Sequence, residues 1–285
     1  MKNIIRLICL FVLVFTVNTA LGKQPRHPLV NLMNVITVSA EHGDFTSPVE
    51  AINSITDADA GNPYLIQIGP GVYEISTALI MKQWVTIQGA GREATKITGA
   101  ISTGDFPSDS TAIVSGQNNA ALTDLTIENR GGGVFSVAIY NREASPRIER
   151  VTAIAMGDDG YASTGILNED SSSPIITNVT ASASGAMVEN FGVYIVLGSS
   201  PTMVNVKAIA KDGWYRNSGV FISRDASPFI VDSVLDGLPG VLLDADISGS
   251  RIVNNKIIGG VVNNTNDGNV CRGNYDENLA DVACW

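Results

Sequence analysis

Four short segments of this 285-residue chain repeat one another: ASPRIERV from Ala144, SSPIITNV from Ser172, SSPTMVNV from Ser199 and ASPFIVDS from Ala226. Their prolines, Pro146, Pro174, Pro201 and Pro228, are spaced 28, 27 and 27 residues apart. A fixed period of this length marks an architecture of stacked units. Each copy buries its apolar face against the copies before and after it.

Aligning the copies on proline produces columns. Two residues after it stand Ile148, Ile176, Met203 and Ile230. Five after stand Val151, Val179 and Val206, and then Ser233, for which Val234 substitutes if the register slips by one. Seven after stand Ala153, Ala181, Ala208 and Leu235. Eight before stand Ala138, Ile166, Val193 and Val220, and Gly165, Gly192 and Gly219 lie nine before in the last three copies. The apolar residues alternate or cluster in short runs rich in Val, Ile and Thr, broken by Gly, Asn, Asp and Ser-Pro, which is a strand pattern.

The beat continues upstream through Ile87, Ile113 and Ile139, 26 apart, and downstream with shorter spacing. The expected fold is all-β: a single-stranded right-handed parallel β-helix of about eight or nine coils, stacked about 4.8 Å apart. Asn178 and Asn205, followed by Asp232, would stack at one turn, where asparagine tolerates a left-handed backbone. The segment TSPVEAINSI predicts a short N-terminal capping helix. Ser47 is its N-cap, Pro48 its first residue and Glu50 completes a capping box, with Val49, Ile52 and Ile55 facing inward.

The chain opens with Lys2 and Arg6, an apolar run from Ile8 to Val17 and then small residues. This is the layout of a secretory signal peptide, assigned to residues 1–22. Residues 23–285 form the β-helix domain of a secreted, periplasmic or cell-envelope protein, with no membrane span after cleavage. The chain carries 18 basic and 28 acidic groups, net −10. Loss of Lys2 and Arg6 takes the balance to −12, which excludes nucleic acid as a partner and disfavours bare polyanions. Two cysteines remain, Cys271 and Cys284. In an oxidising compartment they are expected to close a C-terminal disulfide loop worth about 3 kcal/mol.

The motifs GDFTSPVEAI (43–52), IQIGPGVYE (66–74), VTIQGAG (85–91) and TKITG (95–99) resemble the opening of pectinesterase-like proteins of the pectin-lyase-like superfamily. Residues 137–236 resemble that superfamily's generic β-helix repeats. The resemblance implies the fold. It carries over no catalytic residue, because the pectinesterase strings QDT, DFIFG and GRPW are absent, as are the polygalacturonase strings NTD, GHG and RIK.

On their own chemistry two groups of residues stand out. Glu143, Glu169 and Asp170 fall on neighbouring coils before the Ser-Pro turn, with Arg142 and Arg224 on the same edge. Stacked carboxylates about 5 Å apart match the spacing in retaining glycosidases. The stretches DDGYAST, AMVENF and GWYRNS project from one edge and bring Asp158, Asp159, Tyr161, Trp214, Tyr215 and Arg216 together, with Phe191 among them. Aromatic rings beside polar groups suit sugar stacking and hydroxyl hydrogen bonding. No cofactor is implied. Calcium would suit the acids, but no ligand spacing singles it out.

The expected role is a non-catalytic module contacting a polysaccharide or cell-surface glycan. The alternatives are a carbohydrate-active enzyme (an esterase, lyase or hydrolase using Glu143, Glu169 and Asp170) and a purely structural envelope protein or adhesin.

Overall fold

The computed structural model describes residues 34–283, except 103, 132, 245–246 and 264–267. The segment read as a signal peptide, residues 1–22, and Cys284 lie outside the described residues, as does Trp285. Among the described residues no helix is long and apolar enough to cross a membrane.

The chain winds as an all-β solenoid in which every named strand pairs in parallel with the strand one coil away. Each full coil contributes strands to three faces. The first face runs from Asn34–Val38 through Val85–Gly89, Ile175–Thr177 and Phe229–Val231 to Val270–Arg272. The second includes Thr95–Gly99, Thr180–Ser184, Lys207–Ala210 and Lys256–Ile258. Two long strands, Ala121–Asn129 and Arg147–Met156, bend through the corner and serve both faces. The third face is a separate sheet of eight strands, from Leu79–Ile80 to Val261–Asn263. The solenoid makes about seven turns, slightly fewer than the coil count read from the repeat.

Burial explains the columns. Ile148, Ile176, Met203 and Ile230 pair in one row of the first face and are fully buried. Ala153, Ala181, Ala208 and Leu235 do the same on the second face, and Ile139, Ile166, Val193 and Val220 on the third. Each buried Ile, Val or Leu contributes roughly 1.5–3 kcal/mol relative to exposure.

Three details of the sequence alignment are corrected. Ile139, not Ala138, sits above Ile166, because the first copy is one residue longer. Ser233 keeps the column of Val206 with no slip. It is buried and its hydroxyl accepts from the Val206 amide at 3.0 Å, while Lys207 pairs with Val234. Ile87 belongs to the first face, between Ile66 and Leu122, so its 26-residue spacing to Ile113 on the third face is not a coil repeat.

The glycine column has a steric cause. A Cβ on Gly192 would lie 2.6 Å from the amide nitrogen of Ile209 and 2.6 Å from the carbonyl oxygen of Gly219. The second and third faces touch backbone to backbone here, opposite the alanines, so no side chain fits. At the corner between the first two faces, Asn178, Asn205 and Asp232 all adopt left-handed backbone (φ 57°, 52° and 52°). The Asn205 amide donates to Asn178 Oδ1 at 2.6 Å, forming the expected stack.

A helix spans Pro48–Ser54, with Ser47 as N-cap accepting from the Glu50 amide at 3.4 Å and with Ala51 and Ile52 fully buried.

Candidate functional site

The outer surface of the third face follows from its register. Four strands lie side by side: Phe135–Arg142, Ala162–Glu169, Glu189–Ile195 and Arg216–Ile222. One outward row reads Phe135, Ala162, Glu189, Arg216, and the next reads Val137, Thr164, Phe191, Ser218. A third reads Tyr140, Leu167, Tyr194, Phe221. The strand of Ala162 and Thr164 therefore carries small residues between two strands of large ones. A cleft of about 340 Å³ results, floored by Ala162, Thr164 and Leu167.

Its walls are aromatic. Phe106, from the loop preceding Ala112–Ser115, stacks on Phe135 with ring centres 6.0 Å apart, and Tyr161 meets Phe135 edge-on at 5.8 Å. On the opposite wall Phe191, Tyr194 and Phe221 pack mutually at 4.9–5.2 Å. Such ring pairs contribute about 0.5–1.5 kcal/mol each beyond their burial, which makes the wall rigid.

Charged groups sit at the two ends. At one end Glu189 meets Arg216 at 3.2 Å, and the Arg216 guanidinium lies 4.7 Å from the Tyr215 ring centre and 5.4 Å from that of Phe221. Burial raises the Glu189 carboxyl above its usual range, outweighing the opposing pull of Arg216. At the other end the Tyr140 hydroxyl donates to Glu169 Oε2. Burial, then the bond to Glu169, pushes the Tyr140 phenol far above its usual range, so it remains a proton donor. Arg224 also lines this end.

The carboxylates Glu169 and Glu189 are far apart. Glu189 pairs in register with Ala162, and Glu169 lies seven residues farther along that strand. At about 3.3 Å per residue their α-carbons are roughly 20 Å apart, against roughly 5–9.5 Å between the carboxyl groups of glycosidase pairs.

The cleft gathers Tyr161, Arg216 and Glu169 of the residues singled out by sequence, together with Phe191. Trp214 and Tyr215 adjoin it on the edge turn, 73% and 56% exposed, with ring centres 5.7 Å apart. The edge stretches do stack: Met187 N donates to Gly160 O at 2.7 Å and Trp214 N to Met187 O at 3.0 Å. Asp158 and Asp159 are exposed on that edge in left-handed backbone and do not line the cleft. Glu143 and Asp170 occupy equivalent left-handed positions one coil apart, beside a shallow depression outside the cleft. Asp170 is held there by Arg142 Nε at 2.7 Å.

Sequence reasoning missed Phe106, Phe135, Glu189 and Tyr194 as cleft residues, and Tyr140 and Phe221 as the residues that pack beside them. A signal existed for five of them. Residues 140, 167, 194 and 221 are spaced by 27, as are 135, 162, 189 and 216, so the outward columns were legible beside the inward ones. Phe106 lies in an irregular loop and carried none.

No protein-family model matches the sequence, and no curated protein sequence matches it. Solved structures match the fold. The pectin methylesterase from Aspergillus niger aligns with a TM-score of 0.61 at 13% identity, over 86% of this chain and 86% of that one. The rice weevil pectin methyl esterase aligns at 0.58 and 14%, over 92% and 94%. A pectin methylesterase solved in complex with a hexasaccharide aligns at 0.58 and 13%, over 88% and 92%. At these identities the likeness is one of fold.

Proposed function

We propose that this chain is an exported right-handed β-helix module that holds a polysaccharide in the third-face cleft without turning it over. The observation that carries the reading is the cleft itself: a trough one strand wide, walled by rings on both sides and ended by Glu189–Arg216 and Tyr140–Glu169. Sugar rings present apolar faces to aromatics and hydroxyls to paired charged groups, which donate and accept at once. The trough runs along the strands, so a linear glycan would lie across the solenoid axis. The fold shared with the hexasaccharide-bound pectin methylesterase supports a carbohydrate-related role.

Two observations favour contact over catalysis. The cleft carboxylates are too far apart to act as a glycosidase pair, and Asp170 is committed to Arg142 outside the cleft. The helix at Pro48–Ser54 would cap the first coil, and a disulfide from Cys271 to Cys284 would close the last. The Glu143, Glu169 and Asp170 enzyme reading remains the competing one.

The test is a glycan screen on residues 23–285 that reads binding and product release together. Binding without product, weakened about tenfold or more by Phe191→Ala or Arg216→Gln, is the expected result. Release of methanol, unsaturated ends or reducing ends would overturn the non-catalytic reading, and a dependence of that release on Asp170 would establish the enzyme. Silence toward every glycan would overturn the contact reading in favour of a structural one.

A further inference from the structure

A second groove, of about 360 Å³, lies on the corner between the first and second faces and shares no residue with the third-face cleft. Every charged side chain lining it is a cation: Arg92, Arg150 and Lys207. This runs against the composition of a chain with 28 acidic and 18 basic groups.

The fold brings these cations together from distant parts of the sequence. Arg92 stands on the loop between Val85–Gly89 and Thr95–Gly99, and its side chain reaches along the stack until Nη1 donates to the Asn178 carbonyl at 3.4 Å. Arg150 occupies the left-handed corner position (φ 53°) one coil before Asn178. Lys207 pairs in register with Thr180 and Val234 on the second face.

Two of the nearby acids are already engaged. Asp124 takes Arg150 Nε at 2.6 Å and also accepts from Gln88 and Thr123. Glu149 pairs with both Arg147 and Arg150. Asp232, at the corner position one coil beyond Asn205, does not line the groove. Among the described residues neither Arg92 nor Lys207 has an acidic partner. The Asn178 side chain accepts from Asn205 through Oδ1, which leaves its amide nitrogen as a further donor at the floor.

We propose that this corner groove is a binding site for an oxyanion, a carboxylate, sulfate or phosphate carried on a ligand, held between Arg92 and Lys207 with the Asn178 amide beneath it. An oxyanion matches two unneutralised cations and a neutral donor, and charge-assisted bonds of this kind are the stronger class. The site would give an otherwise acidic protein a local point of attachment to an anionic ligand, independent of the cleft.

The experiment is titration calorimetry of the mature chain at low ionic strength with sodium sulfate, sodium phosphate and glucuronate in separate arms. The order of affinities identifies which oxyanion the groove takes. Saturable binding to at least one is expected, weakened about tenfold by Arg92→Gln and by Lys207→Gln, tightened by Asp232→Asn, and unchanged by Arg130→Gln, a charge-matched change at the distant Glu74 pair. Unaltered melting temperatures of the variants exclude misfolding as the cause. Absence of saturable binding in all three arms, or equal weakening by Arg130→Gln, would overturn the proposal. The second result would mean that only the net charge of the protein is being read.

Discussion

The backbone contact at Gly192 provides a direct test of the packing. Replacing Gly192 with alanine adds one methyl group where three backbone atoms lie within 3.0 Å: Ile209 N, Gly219 O and Ala208 C. None of them is the end of a flexible side chain, so relief requires the second and third faces to separate locally. Overpacking of this kind costs about 1–3 kcal/mol, and contacts with backbone on two sides place Gly192→Ala at the upper end. For a domain of this size each kcal/mol moves Tm by about 2–4 °C, so a fall of roughly 6–12 °C is expected. The assay is thermal unfolding followed by circular dichroism, with Gly104→Ala as control, since a Cβ there meets nothing within 4 Å. A Gly192→Ala variant melting within about 2 °C of the parent would refute the reasoning, because the faces would then have room for the methyl group.

Leu125→Ala removes a fully buried core side chain and is expected to cost about 2–5 kcal/mol in denaturant unfolding. Ser47→Ala should cost only about 0.5–1 kcal/mol, the low end for an N-cap, because its bond to the Glu50 amide is long at 3.4 Å. Phe106→Ala, at a ring 84% exposed, should lower Tm by only about 1–2 °C, the low end for a lost ring pair, while weakening glycan binding in the cleft. The Arg150 guanidinium, helped by Thr123 and Gln88, holds the Asp124 carboxyl far below the usual aspartate range, against the smaller opposing effect of burial. A depressed acid stabilises the fold above its unfolded pKa of about 3.9, and this contribution is lost as pH falls through the lower folded value. The parent should therefore lose more stability than Asp124→Asn between about pH 4 and pH 2, measured as Tm against pH.

The inward columns were legible in the sequence because a solenoid copies its core chemistry every coil. Ile148, Ile176, Met203 and Ile230 announce one row, and the left-handed corner announces itself through Asn178 and Asn205. The candidate cleft was legible only in part. Tyr161, Phe191 and Arg216 could be grouped from their place in the repeat. The 27-residue columns that hold Phe135 and Tyr194 were present in the sequence, but that they wall a trough floored by Ala162 and Thr164 was decided by strand register. The carboxylate grouping was legible only in part for a related reason. Coil spacing brings Glu143 within one rung of Asp170, but the bonds from Arg142 to Asp170 and from Tyr140 to Glu169 depend on where side chains turn at the strand end.

By itself, then, the order of residues determined that this chain coils, which residues fill the coil, and where it turns. Burial and backbone sterics act through local pattern and a fixed period, and both are written in one dimension. The tertiary structure decided which exposed residues meet. The cleft is made by size differences between strands 27 residues apart, and the cationic corner by Arg92 reaching Asn178 across 86 residues of chain. Surface chemistry of that kind carries no periodic constraint, so only the stacking of the coils brings it together.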